Sequence, residues 1–312
     1  MNIVTGRRSL GKSFNKEKGE SIIMCTYIDL HIHSNKSDGS MSPKELVNYA
    51  LKKKIKVISL TDHDNVDGIE EAINEGNLLG IEVIPGVELT IDYRKQMHIL
   101  GYFTKKRYLE VKKELDRYNL IRIKWTMTLI KELNKVGINI TASEVKDKYK
   151  ILQLKNISKI LVEKDYVANS QEAYDKYLNN DTFLNGRPKG FSIEKGFEII
   201  KNAGGLVVLA HPIYLESDID KLEVIINELI NLGLDGIEVY YPEYNGEVSK
   251  EYIYMAEKYN LIVTGGSDFH GKNKIGIDLG VGKGALKVPI TVSDIIKNNL
   301  VNDILKMRKE NV

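Results

Sequence analysis

The chain of 312 residues has a single cysteine, Cys25. One thiol excludes an intrachain disulfide framework and fits a reducing cytoplasm, where the protein is expected to act. No apolar run approaches the roughly 20 residues that a membrane-crossing helix needs, so no membrane partner is expected. Charge of one sign is also missing: 45 basic residues stand against 43 acidic ones, a formal net charge of +2. That excludes a strong overall field for large duplex nucleic acid but leaves a local basic groove open. Internal repeats and low-complexity tracts are absent. Residues 1–23 have basic residues and glycines without a clear period, and lack the long apolar core of a secretion signal. They are expected to be a disordered extension ahead of Met24 and the first strand.

What remains is an ordinary globular composition, 42% hydrophobic and 28% charged, with enough apolar mass for one large or two modest domains. Seven short apolar runs read as strands, at 27–33, 57–63, 82–90, 97–103, 206–211, 236–241 and 261–268. Most are separated by helical patterns, the mark of parallel β/α units. The first helix has a legible start: Ser42 caps, Pro43 suits the first turn, and Glu45 completes a capping box. A second helix follows Asp67-Gly68 and ends at Gly80, a left-handed terminator. Between the fourth and fifth strands, residues 105–189 are charged and helical in period, through Ile123, Met127, Ile130 and Leu133 to a stop at Gly137. This stretch is expected to be a helical insertion, with 24–104 and 190–312 forming the main body.

Histidine is scarce too, at six residues, and none is spare. Each ends or follows a short apolar run beside an acidic residue or a glycine turn. In 27–33, alternation puts Ile28, Leu30 and Ile32 on one face and Asp29, His31 and His33 on the other. The His31/His33 pair can hold one metal ion, with Asp29 orienting an imidazole from behind. Asp268 and His270 repeat the geometry. Glu88, at a strand end behind Pro85 and Gly86, offers a carboxylate that can bridge two cations, and Asp38 in the turn Ser37-Asp38-Gly39 is a further oxygen donor. Taken singly, His98 or His211 reads as a hydrogen-bonded core histidine and Asp38-Gly39 as a turn. Taken together they point to a polynuclear site, whose mixed nitrogen and oxygen donors suit Mn²⁺, Fe²⁺ or Zn²⁺. In barrels the C-terminal strand ends converge on the active site, and six of the seven runs bring a candidate ligand to or near that end. The run 236–241 contributes Glu238 instead, as a support for a ligand or as a polar filler of the barrel.

The motifs DLHIHSNKSDG (29–39), TDHDNVDG (61–68), IPGVELT (84–90), HILGY (98–102), AHP (210–212) and GGSDFH (265–270) resemble, in order, those of the PHP family, named for polymerase and histidinol phosphatase. The likeness is closest to stand-alone phosphoesterases with a helical insertion, among them 3′,5′-nucleotide phosphatases and 5′→3′ exoribonucleases acting on short RNA. It implies an α/β fold, a distorted seven-stranded (β/α)7 barrel with the insertion as substrate cap. It also implies three divalent ions: one on His31, His33, Glu88 and Asp268, a second sharing Glu88 with His98 and His211, and a third on Asp38, His63 and His270. Where relatives carry an Arg-x-His segment, this chain has Leu154-Lys155-Asn156, and after AHP, where relatives usually continue with glycine, it has Ile213-Tyr214. Lys155, Asn156, Lys159 and Arg187 are the candidates for replacement substrate contacts, and Asp62 and Asp64 for a general acid. The expected activity is hydrolysis of a phosphate ester on a nucleotide or short RNA. A phosphatase for another small molecule such as histidinol phosphate, and a noncatalytic metal-binding module, remain the alternatives.

Overall fold

The computed structural model describes residues 27–104, 106–149, 152–179 and 187–310; Cys25 and the extension expected over 1–23 lie outside them. Eight strands form one sheet in the order β7-β6-β5-β4-β3-β2-β1-β8. They are β1 (Tyr27–Ile32), β2 (Val57–Leu60), β3 (Glu82–Ile91), β4 (Met97–Tyr102), β5 (Leu206–Leu209), β6 (Gly236–Tyr240), β7 (Ile262–Gly265) and β8 (Val288–Pro289). The seven expected strands are all present, and the two-residue β8 adds an antiparallel edge against β1. Just past β7 the chain returns to β1. The Asp268 amide donates to the His31 carbonyl (2.8 Å) and the His33 amide to the Phe269 carbonyl (2.9 Å), which closes the sheet into a barrel.

Two expectations about the strands need correction. First, β4 runs antiparallel to both β3 and β5, so His98 stands at the beginning of its strand and reaches the same mouth from the opposite direction. Only residues 92–96 join β3 to β4, and a parallel crossover needs a dozen or more. Second, the alternation read in β1 fails midway. Ile28 and Leu30 pack beneath the C-terminal helix with Val292 and Ile296, but Ile32 packs with Leu46 and Ala50 on the other side. The register shift between Asp29 and Ile32 re-aims the strand.

The first helix, α1 (Pro43–Lys52), has the Ser42/Glu45 capping box with both hydrogen bonds made. Helix α2 (Ile69–Leu79) ends on Gly80 at φ +70°. Between β4 and β5 the described residues are helical: α3 (Tyr108–Lys135), α4 (Ala142–Tyr149), α5 (Leu154–Glu163), α6 (Ser170–Ala173) and a π-helical turn (Tyr174–Leu178). Their side chains form a core of their own, including Leu129, Leu133, Ile157, Leu161 and Leu178. Ile130 and Leu133 are buried as their period predicts, whereas Met127 is exposed. The barrel resumes with α7 (Ile193–Asn202), α8 (Pro212–Leu215), α9 (Ile219–Asn231) and α10 (Gly246–Lys258), and ends in α11 (Ile290–Glu310). Among the described residues no helix is long and apolar enough to cross a membrane.

Candidate metal centre

Closure of the barrel and the reversal of β4 gather all nine candidate ligands at one mouth. They fall into overlapping groups whose donor atoms lie within 4.8 Å of one another: His33, Asp38, His63 and His270; His31, Glu88 and His211; His31, His33 and Asp268; His63, Glu88 and His98. Glu88 is the hub. Its Oε1 lies 2.8 Å from His98 Nδ1 and 2.9 Å from His211 Nε2. Its Oε2 lies 3.3, 3.2 and 3.1 Å from His31 Nε2, His33 Nε2 and His63 Nδ1. Asp38 Oδ1 approaches His270 Nε2 at 3.0 Å, and Asp268 Oδ1 approaches His33 Nε2 at 3.1 Å.

The local backbone explains these positions. Gly266 lies so close to β1 that a Cβ there would meet the His31 backbone nitrogen at 2.4 Å; glycine lets the seam close. Asp64, His211 and Asp268 hold φ of +48°, +28° and +52°, a conformation that costs non-glycine residues of order 1–3 kcal/mol each and collects at functional sites. Glu238 is a support for ligands: its Oε1 lies 3.0 Å from His31 Nδ1 and its Oε2 accepts the His211 amide at 2.8 Å. Asp29 orients no imidazole. It accepts the Ser267 amide and hydroxyl and the Gly280 amide, at 2.8, 2.5 and 2.7 Å, and so fastens the β1–β7 seam. Burial raises its carboxyl to about 6 against those bonds.

Charge in the cluster is tightly balanced. Burial raises Glu88, yet His63, His98 and His31 hold it well below the usual carboxylate range. Asp268 behaves alike, with burial outweighed by His31 and His33. Burial opposes a proton on His33, but Asp268 and Glu88 outweigh it and raise the ring to about 10. At His63 burial wins, and the ring is pushed down to about 3. Several buried donor atoms here make no hydrogen bond: His31 Nε2, both nitrogens of His33, Asp38 Oδ1, His63 Nδ1, Glu88 Oε2 and His211 Nδ1. Buried polar atoms are rarely left so. Convergent imidazole nitrogens and carboxylate oxygens without thiolates are the set that binds borderline divalent cations, which would take the place of the protons the carboxylates draw onto these rings. The residues fit metal.

The remaining sequence candidates lie around the mouth. Asp62 is buried and its oxygens are filled by the Ser34 amide and hydroxyl and the Ser37 hydroxyl, at 2.7, 2.6 and 2.5 Å. Asp64 accepts the Thr90 amide and pairs with Arg122, both at 2.9 Å. Both carboxylates are occupied in holding loops. Lys155 reaches the mouth, its Nζ 2.8 Å from Asp38 Oδ2. It also lines a cavity of about 710 Å³ with Tyr118, Arg122, Trp125, Leu154 and Arg187. Asn156 is buried in α5, and Lys159 is partly buried, its ammonium held down by burial and by Lys155. Sequence reasoning missed Lys274, whose Nζ is 2.6 Å from Asp268 Oδ2, and the Tyr241 hydroxyl, which donates to the same oxygen at 2.7 Å. It also missed Arg122. The spacing of Tyr118, Asn119 and Arg122 on one helical face was the available signal; for Lys274, on a loop, there was none.

A model of the PHP domain matches residues 29–232. The chain is 29% identical to a 5′-3′ exoribonuclease of Haemophilus influenzae, over 78% of this chain and 89% of that one. It is 27% identical to a 3′,5′-nucleoside bisphosphate phosphatase of Chromobacterium violaceum (81% and 90% covered). It is also 27% identical to a phosphoribosyl 1,2-cyclic phosphate 1,2-diphosphodiesterase of Eggerthella lenta (78% and 94%). Among solved structures, a Bifidobacterium adolescentis protein assigned as a metal-dependent phosphoesterase superposes with a TM-score of 0.72 at 24% identity, covering 88% of this chain and 96% of that one.

Proposed function

The chain belongs to the PHP domain family and is a hydrolase of phosphate esters, and from that premise we propose that its substrate is a nucleotide. The ester is either the 3′-phosphate of a 3′,5′-bisphosphonucleotide or the first internucleotide link of a short RNA with a free 5′ end. The observation that carries this reading is the junction at Lys155, where a carboxylate–imidazole mouth opens into a cavity lined by Tyr118 and Trp125 and by Arg122 and Arg187. Aromatic faces suit a base, and guanidinium groups suit a second phosphate. Two of the three curated relatives above, an exoribonuclease and a nucleoside bisphosphate phosphatase, support the reading; the third acts on a cyclic phosphate. A 3′-phosphatase and a 5′→3′ exonuclease also break the same bond, between phosphorus and O3′.

We assign three ions to these donors, following the family resemblance. His31, His33, Glu88 and Asp268 would hold one, Glu88 with His98 and His211 a second, and Asp38, His63 and His270 a third, with His33 in reach of the last. When bound, Mn²⁺, Fe²⁺ or Zn²⁺ would neutralise phosphate oxygens and make water nucleophilic near neutral pH. Glu238 keeps the His31 ring turned toward the mouth. Tyr241 and Lys274 hold Asp268 by its outer oxygen, leaving Oδ1 toward His33. Residues 105–189 act as the cap that selects the substrate, with 24–104 and 190–312 as the barrel that performs the chemistry, in the cytoplasm. Asp62 and Asp64 serve as loop supports and not as acids.

The test is metal analysis of anaerobically purified protein, followed by turnover with added Mn²⁺ on three substrates: a 3′,5′-bisphosphonucleotide, a 5′-phosphorylated RNA trimer and histidinol phosphate. The expected result is bound divalent metal and hydrolysis of one or both nucleotides. Hydrolysis of histidinol phosphate alone would remove the nucleotide reading. Bound metal without turnover of any would favour a noncatalytic module.

A further inference from the structure

The cavity accounts for one side of the mouth. It lies over the ends of β2 and β3, through Asp64 and Thr90. Across the ring, Tyr214, Tyr241 and Lys274 follow β5, β6 and β7, and nothing assigned so far uses the surface they make. Tyr214 is carried on α8, its ring 5.2 Å from that of His211 and edge-on to Tyr241 at 6.0 Å. Packed on two sides, it still keeps 40% of its surface in solvent. Lys274 lines the mouth with His98, His211 and Asp268, and its ammonium also sits 5.4 Å from the Tyr241 ring centre. A fixed, half-exposed aromatic face beside a cation is how proteins hold single-stranded nucleic acid.

We propose that Tyr214 and Lys274 form a second subsite, for the nucleotide beyond the scissile phosphate, with its base on the Tyr214 ring and the phosphate beside Lys274. The inference rests on the nucleotide reading and narrows it to phosphodiesters. In the reaction, a water oxygen bonds to phosphorus and the P–O3′ bond breaks. Its electron pair stays on O3′, which takes a proton, and the remaining proton of the water passes to solvent. The phosphate departs on O5′ of the second nucleoside. A bisphosphonucleotide has only an oxygen at that position and presents nothing for Tyr214 to stack on.

The test compares wild type, Tyr214→Ala and Tyr214→Phe with Mn²⁺ on a 3′,5′-bisphosphonucleotide, a 5′-phosphorylated dinucleotide, and the same dinucleotide with an abasic second residue. Deleting either the ring or the base should lower kcat/KM on the dinucleotide by about tenfold, mostly through KM, and the two losses should not add. Tyr214→Phe should restore the rate. With 2-aminopurine as the second base, binding to metal-free protein should quench its fluorescence, and Tyr214→Ala should abolish the quench. An equal loss on bisphosphonucleotide and dinucleotide would overturn the subsite, because Tyr214 would then act only through His211. Wild type that turns over the bisphosphonucleotide but not the dinucleotide would overturn it too, leaving the nucleotide reading in place. Turnover of neither would remove both.

Discussion

At the barrel mouth, five histidines on or just past four strands converge on Glu88, and backbone hydrogen bonds close the sheet around them. The helical segment beyond β4 is organised differently. Helix α3 begins in the barrel's outer core, through Val111 and Leu115, and ends in a second core with Leu129 and Leu133. Past Leu115 the links back to the barrel are Tyr118 packed on Phe191 (ring centres 4.3 Å apart) and a polar set: Arg122 to Asp64, the Asn119 amide to the Asp64 carbonyl, and Lys155 to Asp38. A strained mouth thus sits beside a segment with a core of its own, joined by one aromatic contact and a few polar ones. Such an arrangement lets the substrate contacts vary while the metal donors stay fixed. Leu154 and Asn156, where the family resemblance led us to expect arginine and histidine, lie in that second region.

The sharpest way to break the comparison is at the mouth. Asp268→Ala deletes a carboxylate shared by His31 and His33 and frees Lys274 and Tyr241. Loss of groups that merely support ligands costs about 10–100-fold, so loss of the donor itself should exceed about 100-fold in turnover, with the far-ultraviolet spectrum unchanged. Near-normal turnover in excess Mn²⁺ would place the chemistry elsewhere. Metal removal should act on the same region. At free Mn²⁺ about a hundred times its Kd, binding at one site adds about 2.7 kcal/mol to the folded state, which for a chain of this size corresponds to about 4 °C in Tm. Calorimetry before and after chelation measures it, and an unchanged Tm would mean the donors bind no ion.

The second region answers to packing. Leu161 is fully buried in the helical core, and Leu161→Ala should cost about 2–5 kcal/mol. If the two cores are as separate as their side chains imply, that loss will loosen the helices and raise KM while metal affinity stays at the wild-type value. A parallel fall in metal affinity would show one cooperative unit.

The sequence made the mouth legible because metal donors are few in type and strand ends place them at fixed spacings. His31, His33, Asp268 and His270 could be paired by alternation alone, and Ser42 with Glu45 announced α1. Less legible was whatever depends on how strands meet. The reversal of β4 was available in the five residues between Ile91 and Met97, too few for a crossover, but the apolar run itself has no direction. The shift within β1 leaves no trace in composition, since Ile28, Leu30 and Ile32 look alike while packing in two different cores. Lys274 stayed hidden because a loop lysine is ordinarily solvated; only the closed barrel brings it to Asp268.

The smallest expected effect lies on the boundary between the regions. Lys155 belongs to α5 of the helical segment, yet its ammonium pairs with Asp38 at the mouth and its side chain lines the cavity. Either it steadies a metal donor or it meets substrate phosphate, and the two roles predict different kinetics. Loss of a phosphate contact present in ground and transition states alike would raise KM and spare kcat. Charge-assisted hydrogen bonds are worth about 1.5–3 kcal/mol when buried, and Lys155 is 42% exposed, so Lys155→Ala should raise KM for a bisphosphonucleotide by only about three- to tenfold, with metal content unchanged. If Lys155 steadies Asp38 instead, the variant will lose metal and kcat together. Leu154→Arg, one residue away on the same cavity wall, sharpens the result: added to Lys155→Ala it should recover part of the KM, because a guanidinium there can reach the phosphate without touching Asp38. Recovery of KM with metal content at the wild-type value throughout would assign the cavity wall to the substrate and the mouth to the metal.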